Sequence, residues 1–219
     1  HIGEAVADCE VIVLAVKPQQ LAAVARELAP HLARQLVLSI AAGVRVRDLA
    51  RWLGGYGRLA RAMPNTPALV QSGISGLYAA PGLLLAERAM AENVLAAVGR
   101  VLWVAEESQL DAVTAVSGSG PAYVFLFLQA MQEGAEALGF SADEAKTLAL
   151  ETFSGACKLA AQGTEDFATL RARVTSKGGT TERALAVMQA TGVKDAIVAG
   201  IKAARERAVE LGDALGEAR

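Results

Sequence analysis

The sequence is poor in the residues that build metal, disulfide or histidine chemistry. It holds two cysteines, Cys9 and Cys157, far apart and without CxxC spacing. Neither a disulfide framework nor a zinc site follows from them, and both are expected to be inert buried thiols in a reducing compartment, the cytoplasm. The two histidines are His1, at the terminus, and His31, in an expected surface turn. No histidine-based triad or metal site can be built from these, so no metal is expected. Charge of one sign is also lacking: 21 basic against 23 acidic residues give −2. No basic field exists to gather nucleic acid or anionic lipid. Long hydrophobic runs are missing too, since the longest, Ala122 to Leu128, stops at Gln129. That falls short of the ~18 apolar residues that span a bilayer, and membrane insertion is excluded on this reading.

What the chain has in abundance is alanine, 46 residues within a composition that is 53% hydrophobic but only 5% aromatic. Such a chain favours tightly packed helices. Its 219 residues suit one large domain or two small ones at ~150 residues each. Glu10–Val16 (EVIVLAV) reads as a buried strand, broken by Lys17 and Pro18, with a parallel sheet as its simplest host. A helix over Gln19–His31 and a second strand over Leu36–Ile40 complete a βαβ unit. The alternation continues with a helix over Val46–Leu53, strands around Arg58–Ala62 and Ile74–Tyr78, a helix over Pro81–Val98 and a strand at Val101–Val104.

Beyond Val104 the strand signals stop and helical period takes over. The expected division is an α/β part over 1–106 and an all-α part over 107–219. Helices are expected at about 108–117, 121–138, 142–162, 166–173, 181–190 and 193–215, with Ser141 and Glu144 as a capping box. Tyr123–Met131 is apolar nearly all round, which demands cover on every side. A domain of ~110 residues has little core to supply it, so an obligate dimer through the helical half is expected.

Four segments place Gly, Pro, Ser and Thr where backbone must lie close to something. AVKPQ (Ala15 to Gln19) and RAMPNTP (Arg61 to Pro67) follow predicted strands, where loops of an open parallel sheet border a ligand crevice. In the second, Pro64 and Pro67 flank Asn65 and Thr66, so the backbone is stiff while an amide and a hydroxyl remain free to bond; the two segments also fit a plain strand-to-helix turn and a rigid connector. In TSKGGTT (Thr175 to Thr181), Gly178 and Gly179 precede a helix whose first amides lack intrahelical acceptors and lie at the positive dipole end. An anion fits there, with Ser176, Thr180 and Thr181 adding hydroxyls, although Thr180 could simply cap the helix. SGSGPAY (Ser117 to Tyr123) suits either a close backbone approach or a tight αα corner. The carboxylates Glu133, Glu136, Asp143 and Glu144 read as solvated helix faces.

With AVKPQ, AAGV (Ala41 to Val44), RAMPNTP, SGSGPAY and TSKGGTT in this order, the chain resembles the pyrroline-5-carboxylate reductases, from about Val11 to the last helix. The resemblance implies reduction of 1-pyrroline-5-carboxylate to L-proline by NADPH (or NADH), the last step of proline biosynthesis. It implies an α/β Rossmann-like N-terminal domain and an all-α C-terminal dimerisation domain that interlocks with a partner subunit, and larger rings of dimers occur among such proteins. By resemblance, Ala15, Val16, Lys17, Pro18, Ala42, Gly43, Pro64, Asn65 and Thr66 line the cofactor. Ser176, Gly178, Gly179 and Thr180, from the partner subunit, hold the substrate carboxylate, and Thr181 bonds the ring nitrogen. Such enzymes begin with a strand, a GxGxxG/A phosphate loop, a helix and a second strand, none of which is found in the 219 residues. The expectation is that residues upstream of His1 are missing and that this fragment alone binds cofactor poorly. Lys177 stands where many relatives carry Pro. The competing readings are a β-hydroxy-acid dehydrogenase, for which TSKGGTT is not expected, and a helical dimerisation module without a cofactor domain.

Overall fold

The computed structural model describes residues 6–217; His1 lies outside them. Its contacts divide the chain into two compact units. The first runs to Pro121 and takes in the chain again from Ile201, and the second is Ala122–Gly200.

The first unit is built on a five-stranded sheet in sequence order: β1 (Val11–Leu14), β2 (Leu36–Ser39), β3 (Leu59–Met63), β4 (Gly73–Ala79) and β5 (Gly99–Trp103). Strands β1, β2 and β3 are parallel, as the βαβ pattern predicts. Strand β4 runs antiparallel to β3, and β5 is parallel to β4. The reversal follows from chain length. The link from β3 to β4 is a short 3-10 turn over Thr66–Val70, too short for the crossover that a parallel pair requires.

Both faces of the sheet are covered. Helix α1 (Pro18–Leu28) starts with Pro at its first position and buries Leu21, Ala22, Ala25 and Leu28, one helical stripe. With α2 (Val46–Trp52) it packs over Leu14, Val37 and Leu59. Helix α3 (Leu85–Ala96) places Ala91 and Leu95 against Leu36, Leu38, Ala60, Ala62 and Leu77 on the other face. In β3 the alternation of faces therefore sends Arg61 to the side of Leu59.

The composition shift near Glu106 is not where the contacts divide. Helix α4 (Gln109–Val113) buries Leu110 and Asp111, and its Leu110 and Val113 lie so close to Gly76 of β4 that a Cβ there would meet them at 2.9–3.0 Å. The first unit thus outlasts its last strand. After α4 the chain makes a π turn, Thr114–Gly118, in which the Ser119 N–H donates to the Thr114 carbonyl at 2.8 Å. This turn stands where a helix end and an αα corner were expected. With this turn inside it, Gln109–Ala137 is 29 residues long and apolar enough by length and composition to cross a bilayer. A count of unbroken apolar residues did not register it, because scattered polar residues interrupt the run.

The second unit contains α5 (Gly120–Ala137) for nearly its whole length, α6 (Ala142–Gln162), α7 (Phe167–Arg173), α8 (Thr180–Ala190) and the start of α9 (Val193–Gly216). The Ser141 hydroxyl and backbone N–H both donate to Glu144 Oε2, and the Glu144 N–H donates back to Ser141 Oγ, the expected capping box. Among its described residues only Ala145 and Ala149 are buried apolar groups, whereas Phe125 is 64% and Leu126 67% exposed. Helix α5 buries nothing within one chain. Cys9 and Cys157 are likewise exposed rather than buried, a correction to the sequence reading.

Candidate active site

Because β1, β2 and β3 are parallel, their carboxyl ends lie at one edge of the sheet. The loops there are Ala15–Lys17 leading into Pro18, Ala41–Arg45, and Pro64–Asn65 leading into Thr66. Three motifs distant in sequence are thereby brought to one edge, the position of ligand crevices in open α/β sheets. A cavity of about 250 Å³ opens beside them, lined by Pro18, Ala42, Gly43, Asp111, Thr114 and, from α9, Leu211 and Leu215, among others. Ala42 is exposed and Gly43 half-buried. Gly43 has φ +80°, and a Cβ there would lie 3.0 Å from Leu215 Cδ1. The position requires glycine on both counts. Pro64, Asn65 and Thr66 do not line this cavity.

The amide of Asn65, expected to be available to a ligand, holds the loop instead. Its Nδ2 donates to Ser117 Oγ at 3.2 Å, and its Oδ1 accepts from the Ile74 N–H at 2.9 Å. Met63 packs against the same π turn, where a Cβ on Gly118 would come within 2.6 Å of Met63 Cε. Thr66 is exposed.

Beneath the loops lies an ionic cluster to which the sequence reading gave no role. Arg61, 2% exposed, donates from Nη1 to Glu107 Oε1 at 2.9 Å and places Nη2 3.8 Å from Asp111 Oδ1. Arg45 donates from Nη1 to Asp111 Oδ2 at 3.3 Å and from Nη2 to Asp213 Oδ1 at 3.4 Å. The Val46 N–H donates to Glu107 Oε1 at 2.8 Å. The available signal was Arg61 itself. A charge inside an apolar strand (LARAM) must find a partner, and the carboxylates of EESQLD were candidates.

In the second unit, TSKGGTT forms the turn before α8, with Ser176, Gly178 and Thr180 exposed and Gly179 and Thr181 half-buried. The Gly179 N–H donates to the Ser176 carbonyl at 3.0 Å. The Gly178 N–H donates to Glu182 Oε2 at 2.7 Å. Glu182 was missed because it reads as an ordinary first-turn acid. Thr180 and Thr181 are the first two residues of α8, where amides have no acceptor within the helix.

The pyrroline-5-carboxylate reductase of Pseudomonas aeruginosa is 48% identical over 216 residues, 98% of this chain and 79% of that protein. The chain belongs to the pyrroline-5-carboxylate reductase family. The family model for pyrroline-5-carboxylate reductase dimerisation matches residues 107–211, and one described as NADP oxidoreductase, coenzyme F420-dependent, matches residues 2–43. The solved pyrroline-5-carboxylate reductase of Coxiella burnetii is 41% identical with a TM-score of 0.88, covering 93% of this chain and 76% of that one. The Plasmodium falciparum pyrroline carboxylate reductase, solved with NADP bound, is 27% identical with a TM-score of 0.88, covering 95% and 79%. This family member therefore carries the α/β and all-α parts that its motifs predict, and its dimerisation match covers the helices that lack a core of their own.

Proposed function

We infer that the protein reduces 1-pyrroline-5-carboxylate to L-proline with NAD(P)H, the last step of proline biosynthesis. The observation that carries this reading is the gathering of AVKP, AAG and PNTP at one edge of the sheet in a chain 48% identical to a named reductase. The dinucleotide side is assigned to residues 1–106, and the dimerisation and substrate side to 107–219.

The residues at the sheet edge fit a flat, uncharged ring. Pro18, Ala42 and Gly43 border a cavity that is mostly apolar, and Gly43 leaves room that a side chain would fill. Ala15, Val16, Lys17, Pro64, Asn65 and Thr66 complete the cofactor assignment. NAD(P)H supplies the hydride that adds to the imine carbon, while a proton adds to the nitrogen. The work of this chain is orientation and exclusion of water. Segment 176–181 is assigned to substrate: Ser176 and the amides of Gly178, Gly179 and Thr180 to the carboxylate, Thr181 to the ring nitrogen. The helix start supports this, because it already draws a carboxylate, that of Glu182, to the Gly178 amide.

The partner that covers α5 is assigned as a second copy of the chain, within a homodimer or a ring of dimers. Lipid is disfavoured because the same helical run carries Asp111, Glu133 and Glu136. The cytoplasm is the assigned location. The test is absorbance at 340 nm with pyrroline-5-carboxylate and each cofactor, with light scattering on the same preparation. Oxidation of NAD(P)H that depends on the imine and yields proline is expected; no imine-dependent oxidation rejects the reading.

A further inference from the structure

The buried cluster under the sheet edge has a geometry that packing alone does not demand. Arg61 and Asp111 are buried and Arg45 and Glu107 half-buried; burying such charges is costly, and well-packed apolar side chains of the same volume often give equal or greater stability. Their retention calls for a geometric reason, and the connectivity supplies one. Arg45 follows Gly43 by two residues, and Arg61 precedes Pro64 by three. Each guanidinium thus sits at the root of one loop.

The roots are joined by α4 and the residues just before it. A single oxygen, Glu107 Oε1, accepts both the Val46 N–H beyond the first loop and Arg61 Nη1 below the second. Asp111 divides its oxygens in the same way, Oδ2 to Arg45 and Oδ1 towards Arg61. The π turn that continues α4 holds the far side of the second loop through Ser117 on Asn65 and through Gly118 on Met63. Neither loop can shift without disturbing the same two carboxylates. Asp111 also lines the cavity beside Ala42 and Gly43.

We propose that Asp111 and Glu107 are positioning residues for the dinucleotide, locking segments 41–43 and 63–66 into one frame. The proposal rests on the assignment of those loops to the cofactor.

The test is a steady-state comparison of Asp111→Asn with the parent protein, varying NAD(P)H and imine separately. The expected result is a five- to twenty-fold rise in KM for the dinucleotide, with kcat at saturation and KM for the imine within two-fold of the parent. A cluster that merely holds the fold together would lower the active fraction and the Tm, and so kcat, at unchanged KM; that result overturns the proposal. Should Asp111→Asn fail to fold, Arg45→Lys carries the same test. Its charge remains while the two-pronged reach to Asp111 and Asp213 is lost, and an unchanged dinucleotide KM again overturns the proposal. Ala42→Val separates the two levels of inference. If it raises the dinucleotide KM while Asp111→Asn and Arg45→Lys do not, only the positioning role fails. If all three leave that KM unaltered, the loop assignment fails and the positioning role with it.

Discussion

The Gly178 amide donates to the Glu182 carboxylate at 2.7 Å, so the head of α8 holds an anion belonging to its own chain. A substrate carboxylate assigned to this turn has to compete with Glu182 for the Gly178 N–H. Replacing Glu182 by Gln keeps the length of the side chain but weakens its hold on the amide, because charge-assisted bonds are about twice as strong as neutral ones. Glu182→Gln is expected to lower KM for the imine several-fold with little change in kcat. A raised KM would mean that Glu182 orders the turn for substrate.

Thr181 is the second residue of α8, and its hydroxyl is assigned to the ring nitrogen. Thr181→Ala removes one neutral hydrogen bond in the transition state, about 0.5–1.5 kcal/mol, which is roughly a two- to ten-fold loss in kcat/KM. An unaltered kcat/KM removes Thr181 from the mechanism.

These two residues also show how far the sequence could be read. The start of α8 was legible because a glycine pair precedes a helical stripe: it is expected at Thr181 and begins at Thr180. The parallel strands β1 to β3 were legible for a similar reason, since short apolar runs separated by a helix have few ways to pair. Glu182, Glu107 and Asp111 were not. Each is a carboxylate on or beside a helix start, and such residues are usually solvated; only the fold shows that Asp111 is buried and faces two guanidiniums. The prolines flanking Asn65 make its amide look available, whereas one of the partners that occupy it, Ser117, lies 52 residues away, and the other, Ile74, is in the next strand. Local pattern reveals periods and punctuation; it does not reveal which polar atoms meet across the fold.

Gly43 stands at φ +80° with Leu215 3.0 Å from its missing Cβ. Gly43→Ala therefore faces two costs, a left-handed backbone strain of about 1–2 kcal/mol and a steric push on the loop. A lowered Tm and a raised dinucleotide KM are expected. Leu215→Ala added to Gly43→Ala should recover the part of the KM change caused by the contact but not the strain. Recovery of neither would place the whole effect in the backbone.

Leu126 and Phe125 protrude from α5 in a single chain. If a second copy covers them, Leu126→Asp puts a carboxylate into that interface twice over and removes two buried leucines, each contributing about 1.5–3 kcal/mol. Light scattering should then show a monomer or aggregate where the parent is a dimer or larger. The parent's Tm should rise with protein concentration and the variant's should not. A variant that stays dimeric at micromolar concentration would put the interface on another face.

Asp166 caps α7 by accepting the Thr169 N–H at 2.7 Å. That backbone bond, with the Thr169 side chain second, holds its carboxyl below the usual carboxylate range; the Ser141 hydroxyl, and then its backbone N–H, do the same for Glu144. A carboxyl depressed in the folded state binds fewer protons there than in the unfolded chain, so stability rises with pH through that interval. The capping contribution is fully present above the ordinary carboxylate range and is lost as pH falls through the depressed folded values. Asparagine caps a helix about as well as aspartate but does not titrate. Asp166→Asn should match the parent's Tm at neutral pH and lose less Tm than the parent on acidification. If both proteins lose Tm in parallel between neutral pH and the acid limb, Asp166 is not coupled to folding through its proton.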